Sequence, residues 1–118
     1  MKIKQISIFL ENTAGRIADV TKVLKDNSIN LRAIMIADTA DFGILRIITD
    51  DSEKALSVLK EAKFTTKTTD VLAISISDKV GALHDVIRIF CQQVCNFSFT
   101  FITPLRTNYN CIFHLLTP

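Results

Sequence analysis

The chain repeats itself at an interval of 66 residues. At that offset Gly15 falls on Gly81, and the apolar run at residues 6–10 falls on the run at 72–76. Each run leads through a polar turn into a segment with apolar residues at helical spacing. Internal repeats are built from one supersecondary unit used more than once. The sequence therefore predicts two copies of one small module.

The first copy, residues 1–70, has the complete order strand, helix, strand, strand, helix, strand. Its first helix carries apolar residues on one face, and its second begins with the acidic cap and first turn at residues 50–53. The expected strands cover residues 6–10, 30–36, 44–49 and 64–69, with a hairpin turn at 41–43. Right-handed crossovers in this order place both helices on one face of a four-stranded sheet. The prediction is an α+β, ferredoxin-like βαββαβ domain with an antiparallel sheet.

The second copy, residues 71–118, stops after strand, helix, strand, strand. Its expected strands cover residues 72–76, 96–102 and 111–116, and the counterparts of the last helix and strand are absent from the chain. In this topology the second strand of each copy lies at a sheet edge, where it is open to pairing. We expect the two copies to pair there. We also expect a homodimer or higher oligomer, because the partial copy (βαββ) leaves its first strand and one sheet face uncovered.

Charge and composition exclude several classes of function. Fourteen Lys and Arg against twelve Asp and Glu give a net charge of +2, and these charges form no basic block, so a nucleic-acid partner is not expected. No apolar run approaches the roughly 20 residues needed to span a bilayer, and the first residues do not form a signal peptide. Three cysteines in one half of the chain suit a reducing compartment. We expect a cytoplasmic protein without a membrane or nucleic-acid partner.

The sequence contains no arrangement typical of catalysis. Cys91 and Cys95 are four residues apart on the expected third helix, with His84 nearby, but small buried apolar residues account better for these cysteines than a metal site does. No nucleophile and base are found at a useful spacing, and neither the phosphate-binding loop nor the dinucleotide fingerprint is present. We expect no enzyme activity, no metal and no cofactor.

The two turn segments carry a resemblance to a known family. In the first copy the segment at residues 11–17 is followed by a helix and by the pair Asn30-Leu31. In the second copy the segment at 77–83 is followed by a helix and by Asn96-Phe97. Both resemble the start of an ACT domain, a small regulatory module that binds amino acids, and the tandem arrangement is similar to proteins with two such modules. Proline often precedes the glycine in that family, and here Ala14 and Val80 stand in its place.

The resemblance implies a ligand site at the turn between the first strand and the first helix. Free N–H groups at a helix start favour an anion, and glycine lets the backbone approach a ligand closely. Asparagine offers both an acceptor and a donor. By resemblance, Asn12 and Asn30 contact an amino-acid ligand across the interface between paired modules. The expected binding residues are Asn12, Thr13, Ala14, Gly15, Arg16, Ile17 and Asn30 in the first copy, and Asp78, Gly81 and Asn96 in the second.

Alternatives to this interpretation stay open. Asn12 and Asp78 are also good helix caps, and Asn30 is also a turn residue before a strand. An ionised carboxylate cannot donate to a ligand carboxylate, so Asp78 predicts that the two copies bind unequally. In place of amino-acid sensing, the chain could be a structural association module of the same fold or the regulatory subunit of an amino-acid biosynthetic enzyme. A metabolic enzyme is then an expected partner.

Overall fold

The computed structural model describes the backbone at residues 2–11, 13–38, 42–93, 98–104 and 112–116, and side chains at 2–11, 13–37 and 42–89. Six strands and three helices occur in these ranges. In chain order they are β1 (Lys2–Glu11), α1 (Arg16–Asp26), β2 (Leu31–Asp38), β3 (Phe42–Thr49), α2 (Ser52–Glu61), β4 (Thr65–Leu72), α3 (Ala82–Gln93), β5 (Ser98–Pro104) and β6 (Ile112–Leu116). The element order predicted for the first copy is confirmed.

The first four strands form an antiparallel sheet in the order β4-β1-β3-β2. In the register, Ile8 of β1 lies opposite Leu45 of β3 and opposite Thr66 of β4. Successive residues of a strand point to opposite faces, so Ile6, Ile8 and Leu45 share one face. This face is the one that the two helices cover, as the right-handed crossovers predict.

The main core lies between this sheet face and helices α1 and α2. Each helix buries residues at helical spacing, Val20 and Leu24 in α1 and Ala55 and Leu59 in α2. The acidic cap expected before α2 is present, because Asp51 Oδ1 accepts a hydrogen bond from the Lys54 N–H at 3.0 Å. The opposite sheet face carries a smaller apolar cluster of Ala33, Ile48 and Val71, with Ile3 and Met35 packed against it.

The turns before α1 and α3 repeat the same geometry 66 residues apart. Gly15 has φ 90° and Gly81 has φ 87°, a left-handed conformation in which glycine is favoured. The Thr13 N–H donates to the Glu11 carbonyl at 2.7 Å, and the Lys79 N–H donates to the Ser77 carbonyl at 2.8 Å. Further on, the N–H of Asp19 reaches the Gly15 carbonyl at 3.0 Å, and that of Asp85 reaches the Gly81 carbonyl at 3.1 Å. The sequence repeat is therefore also a repeat of backbone conformation.

The second copy joins the first through its second strand, as expected. β5 pairs antiparallel with β2, with Ala33 opposite Pro104 and Ile34 opposite Thr103, and β6 pairs with β5. The sheet order becomes β4-β1-β3-β2-β5-β6. Cα atoms of the outermost strands, β4 and β6, nevertheless approach within 8 Å. The sheet must therefore curl, because five neighbouring-strand steps of about 4.8 Å would separate these edges in a flat sheet.

Two predicted boundaries need correction. The first strand of the second copy was expected at 72–76, but β4 extends to Leu72 and residues 73–77 have no regular secondary structure. The reason is that Val71 and Leu72 pair with Ile3 and Lys2 of β1. Leu72, the first residue of the expected strand, therefore belongs to the sheet of the first copy. The hairpin turn expected at 41–43 is also shifted, since β3 begins at Phe42, opposite Glu11.

Candidate functional site

A small pocket opens where β1 ends and α1 begins. Its volume is about 70 Å³. Three of the predicted site residues, Thr13, Arg16 and Ile17, lie in its lining, and Ala14 and Gly15 form the exposed turn between them. The full lining consists of Leu10, Glu11, Thr13, Arg16, Ile17, Ile36, Gly43 and Leu45. The structure thus gathers much of the expected first-copy site around one pocket.

Two residues of opposite charge line this pocket, and unpaired backbone donors lie beside it in the first turn of α1. Glu11, at the end of β1, and Arg16, the first residue of α1, both lie in the lining. Among the described residues, the N–H groups of Ile17 and Ala18 have no acceptor, because no side chain caps this helix. A helix start favours negative charge. Arg16 and the start of α1 therefore favour an anionic group at this pocket.

Arg16 is held beside the pocket by two contacts. Its Nη1 lies 3.6 Å from Asp19 Oδ2, and its Cζ lies 5.2 Å from the centre of the Phe64 ring. The guanidinium Nε is buried and has no partner among the described residues. These two contacts restrict the Arg16 side chain beside the pocket.

The structure bears on the capping alternative for Asp78 and leaves that for Asn12 a prediction. The N-cap position of α1 is occupied by Gly15, three residues after Asn12. In the second copy Gly81 immediately precedes α3, and Asp78 lies three residues earlier, so Asp78 is not the cap of α3. Asn12 itself, like Asn96, lies outside the described residues.

Asn30 lies at the other end of the same module. Its N–H donates to Asp50 Oδ1 at 3.2 Å, and its carbonyl accepts from the Asp50 N–H at 3.2 Å. These bonds hold the start of β2 against the end of β3, whereas the pocket lies at the start of β3, about 23 Å away along the strand. A single small ligand cannot touch Asn30 and the Gly15 turn of one module.

The second copy differs from the first at the matching positions. Asp78 is exposed, and the residues that correspond to Thr13 and Arg16 are Lys79 and Ala82. The second turn therefore keeps the backbone geometry of the first but lacks its guanidinium. Unequal binding by the two copies stays a prediction.

Five of the eight lining residues were not predicted as site residues: Leu10, Glu11, Ile36, Gly43 and Leu45. Two of these five are distant in the chain from the turn. Ile36 comes from β2 and Gly43 from β3, both distant in the chain from the turn. Gly43 did carry a signal, because a glycine inside a strand often marks a close approach by a ligand or another backbone. Ile36 carried none, because it continues the ordinary apolar alternation of its strand.

Among the described residues, no three His, Cys, Asp or Glu side chains come together as metal ligands would. In the same part of the chain there is no helix whose length and apolar character would let it cross a bilayer.

Solved structures share this architecture. Protein BT0572 from Bacteroides thetaiotaomicron is 34% identical, with a TM-score of 0.77 over 98% of this chain and 93% of that protein. The regulatory subunit of aspartate kinase from Thermus thermophilus, in its ligand-free form, is 12% identical, with a TM-score of 0.59 over 95% of this chain and 80% of that one. E. coli aspartokinase III, in complex with lysine and aspartate, is 12% identical, with a TM-score of 0.50 over 98% of this chain and 27% of that one. At 12% identity the likeness shows a common fold.

The comparison of sequences points to one family. No curated protein matches the chain. A family model described as an ACT domain pair matches residues 1–114, which include the repeated turns and the pocket. Together with the paired modules and the glycine turns 66 residues apart, this match confirms the resemblance noted from the sequence. The chain belongs to the family of ACT domain pairs.

Proposed function

We propose that this protein is a regulatory module that binds an amino acid in the pocket at the start of α1. The observation that carries the proposal is the placement of Glu11, Arg16 and the unpaired N–H groups of the first turn around one pocket. ACT domains are regulatory modules and not catalytic ones, which supports binding in preference to turnover.

The charges of the pocket suit the two ends of a free amino acid. The ligand carboxylate would accept hydrogen bonds from the N–H groups of Ile17 and Ala18 and from Arg16. The ligand ammonium would lie toward the Glu11 carboxylate. The left-handed turn at Gly15 has no atom within 4 Å of the position where a Cβ would lie, so the backbone is open to a ligand on that side. Each charged end of the ligand thus has a group of opposite sign.

A second module would complete the site. β2 and β5 are antiparallel, so the start of β2, which follows Asn30, lies beside the end of β5. Antiparallel pairing of this kind places the start of the second strand of one module beside the end of the second strand of the other. The asparagine before that strand, Asn30 in the first module, can then approach the strand-to-helix turn of the other module. Asn30 and Asn12 therefore remain proposed contacts across an interface. We propose that a homodimer or higher oligomer supplies that interface, that a metabolic enzyme is the regulated partner, and that both act in the cytoplasm.

Titration with the twenty amino acids, by thermal shift and calorimetry, tests this function. A ligand that binds only the folded state stabilises it by about 2.7 kcal/mol when its concentration is 100 times Kd. We expect at least one amino acid to raise the melting temperature by several degrees, since each kcal/mol corresponds to roughly 4 °C in a chain of this size. If none does at millimolar concentration, the chain is a structural association module instead.

Arg16→Gln tests the location of the site. Loss of a hydrogen bond from a charged group costs about 1.5–3 kcal/mol, so we expect binding to weaken roughly 10- to 150-fold. Lys22→Gln is the matched control, because it removes the same charge from the same helix at an exposed position outside the pocket lining. Equal binding by the two variants would contradict this location.

A further inference from the structure

We propose that the ligand is a branched aliphatic amino acid, whose side chain enters the apolar part of the pocket. This inference rests on the proposed function and names the ligand class. Three observations support it: the apolar residues of the pocket floor, the open space above Gly43 and the volume of the pocket.

The floor and walls beyond the charged turn are hydrocarbon. Leu10 and Leu45 are 4% and 1% exposed and form a floor that belongs to the core. Ile17 and Ile36 are 41% and 52% exposed, so they border the opening. Large apolar side chains left this open beside a pocket gain from being covered by another apolar group.

Gly43 leaves the space that such a group needs. It lies in β3 beside Leu10, on the sheet face that carries Leu45. A Cβ at this position would have no atom within 4 Å. Its φ is not in the left-handed region, so backbone conformation does not require glycine here. The strand therefore tolerates a side chain at position 43, and the glycine keeps the pocket open.

The volume limits the size of the ligand side chain. An apolar cavity of about 150 Å³ accepts the six carbon atoms of benzene, so the pocket of about 70 Å³ takes roughly three carbon atoms. That is the size of the valine side chain and of the branched end of leucine, and isoleucine is one carbon larger; the carboxylate and ammonium of the ligand would lie outside this space, at the turn. An aromatic ring is larger than this space, and a lysine side chain would have to place its ammonium beside hydrocarbon or extend it out of the opening.

A ligand series separates this inference from the proposed function. Valine and threonine have nearly the same shape and differ by a methyl and a hydroxyl, which an apolar pocket distinguishes by roughly 10- to 100-fold. We expect valine, isoleucine or leucine to bind most tightly by calorimetry, with threonine, phenylalanine and lysine weaker. Tighter binding of threonine, phenylalanine or lysine would overturn the inference and leave the proposed function intact. Failure of all twenty amino acids would remove both.

Gly43→Leu tests whether the aliphatic group occupies this pocket. The added side chain fills the space above the strand, and we expect valine to bind at least tenfold more weakly. Gly43→Ala adds only one methyl group and is the control for loss of glycine. Circular dichroism verifies that both variants are folded. Should Gly43→Leu not fold, Ile36→Thr replaces an ethyl group by a hydroxyl at the exposed border of the pocket, and weaker binding of valine by this variant is the expected result. Unchanged valine affinity in a folded Gly43→Leu or Ile36→Thr protein would overturn the inference.

Discussion

Replacement of Gly15 by alanine measures what a left-handed backbone costs a residue with a Cβ, at the turn before α1. Gly15 has φ 90°, whereas Gly43 has no positive φ, and a Cβ at either position would have no atom within 4 Å. Steric contact with the other described residues is therefore excluded at both sites. Gly15→Ala and Gly43→Ala make a pair that differs in backbone conformation and not in packing.

The expected magnitudes follow from two opposing terms. Alanine in place of glycine restricts the unfolded chain, which stabilises a compatible site by about 0.4–1 kcal/mol. A left-handed conformation costs a residue with a Cβ about 1–2 kcal/mol. The first term applies to both variants and the second only to Gly15→Ala. Gly43→Ala should therefore be more stable than the wild type, and Gly15→Ala should lie about 1–2 kcal/mol below Gly43→Ala.

Urea unfolding followed by circular dichroism measures this difference. With a slope of about 2 kcal/mol per molar urea, the midpoints of the two variants should lie roughly 0.5–1 M apart. Gly81→Ala extends the test to the second copy, because its φ of 87° predicts the same penalty. Coinciding midpoints for Gly15→Ala and Gly43→Ala would refute the assignment of a left-handed turn to Gly15.

Two further predictions concern stability and assembly. Thr49 is 5% exposed and its hydroxyl has no partner among the described residues, so Thr49→Val should raise the free energy of unfolding by about 1 kcal/mol. Thr21→Val is its control and should bring no such gain, because the Thr21 hydroxyl donates to carbonyls of the preceding turn at 3.0 Å. For assembly, we expect light scattering to show a homodimer or higher oligomer, and a monodisperse monomer would contradict that proposal.

Much of the fold could be predicted because its signals are local. The helical spacing of Val20 and Leu24 and the acidic cap at Asp51 each depend on a few neighbouring residues. The left-handed turns also have a local cause, since glycine is favoured at positive φ. The end of β4 could not be predicted in this way, because it depends on how far β1 continues to offer hydrogen-bond partners.

The candidate site likewise has a part that local sequence predicts and a part that depends on strand pairing. Thr13, Arg16 and Ile17 could be predicted because they lie in one turn and the helix that follows it. Ile36 and Gly43 join them only because β2 and β3 fold back beside β1, and Asn30 lies at the other end of the module for the same reason. The sequence alone determined the repeated module and its anion-favouring turn, since periodicity and backbone preference act over short distances. Only the tertiary structure decided that this turn adjoins a small apolar pocket, because strand pairing brings together residues that no local pattern connects.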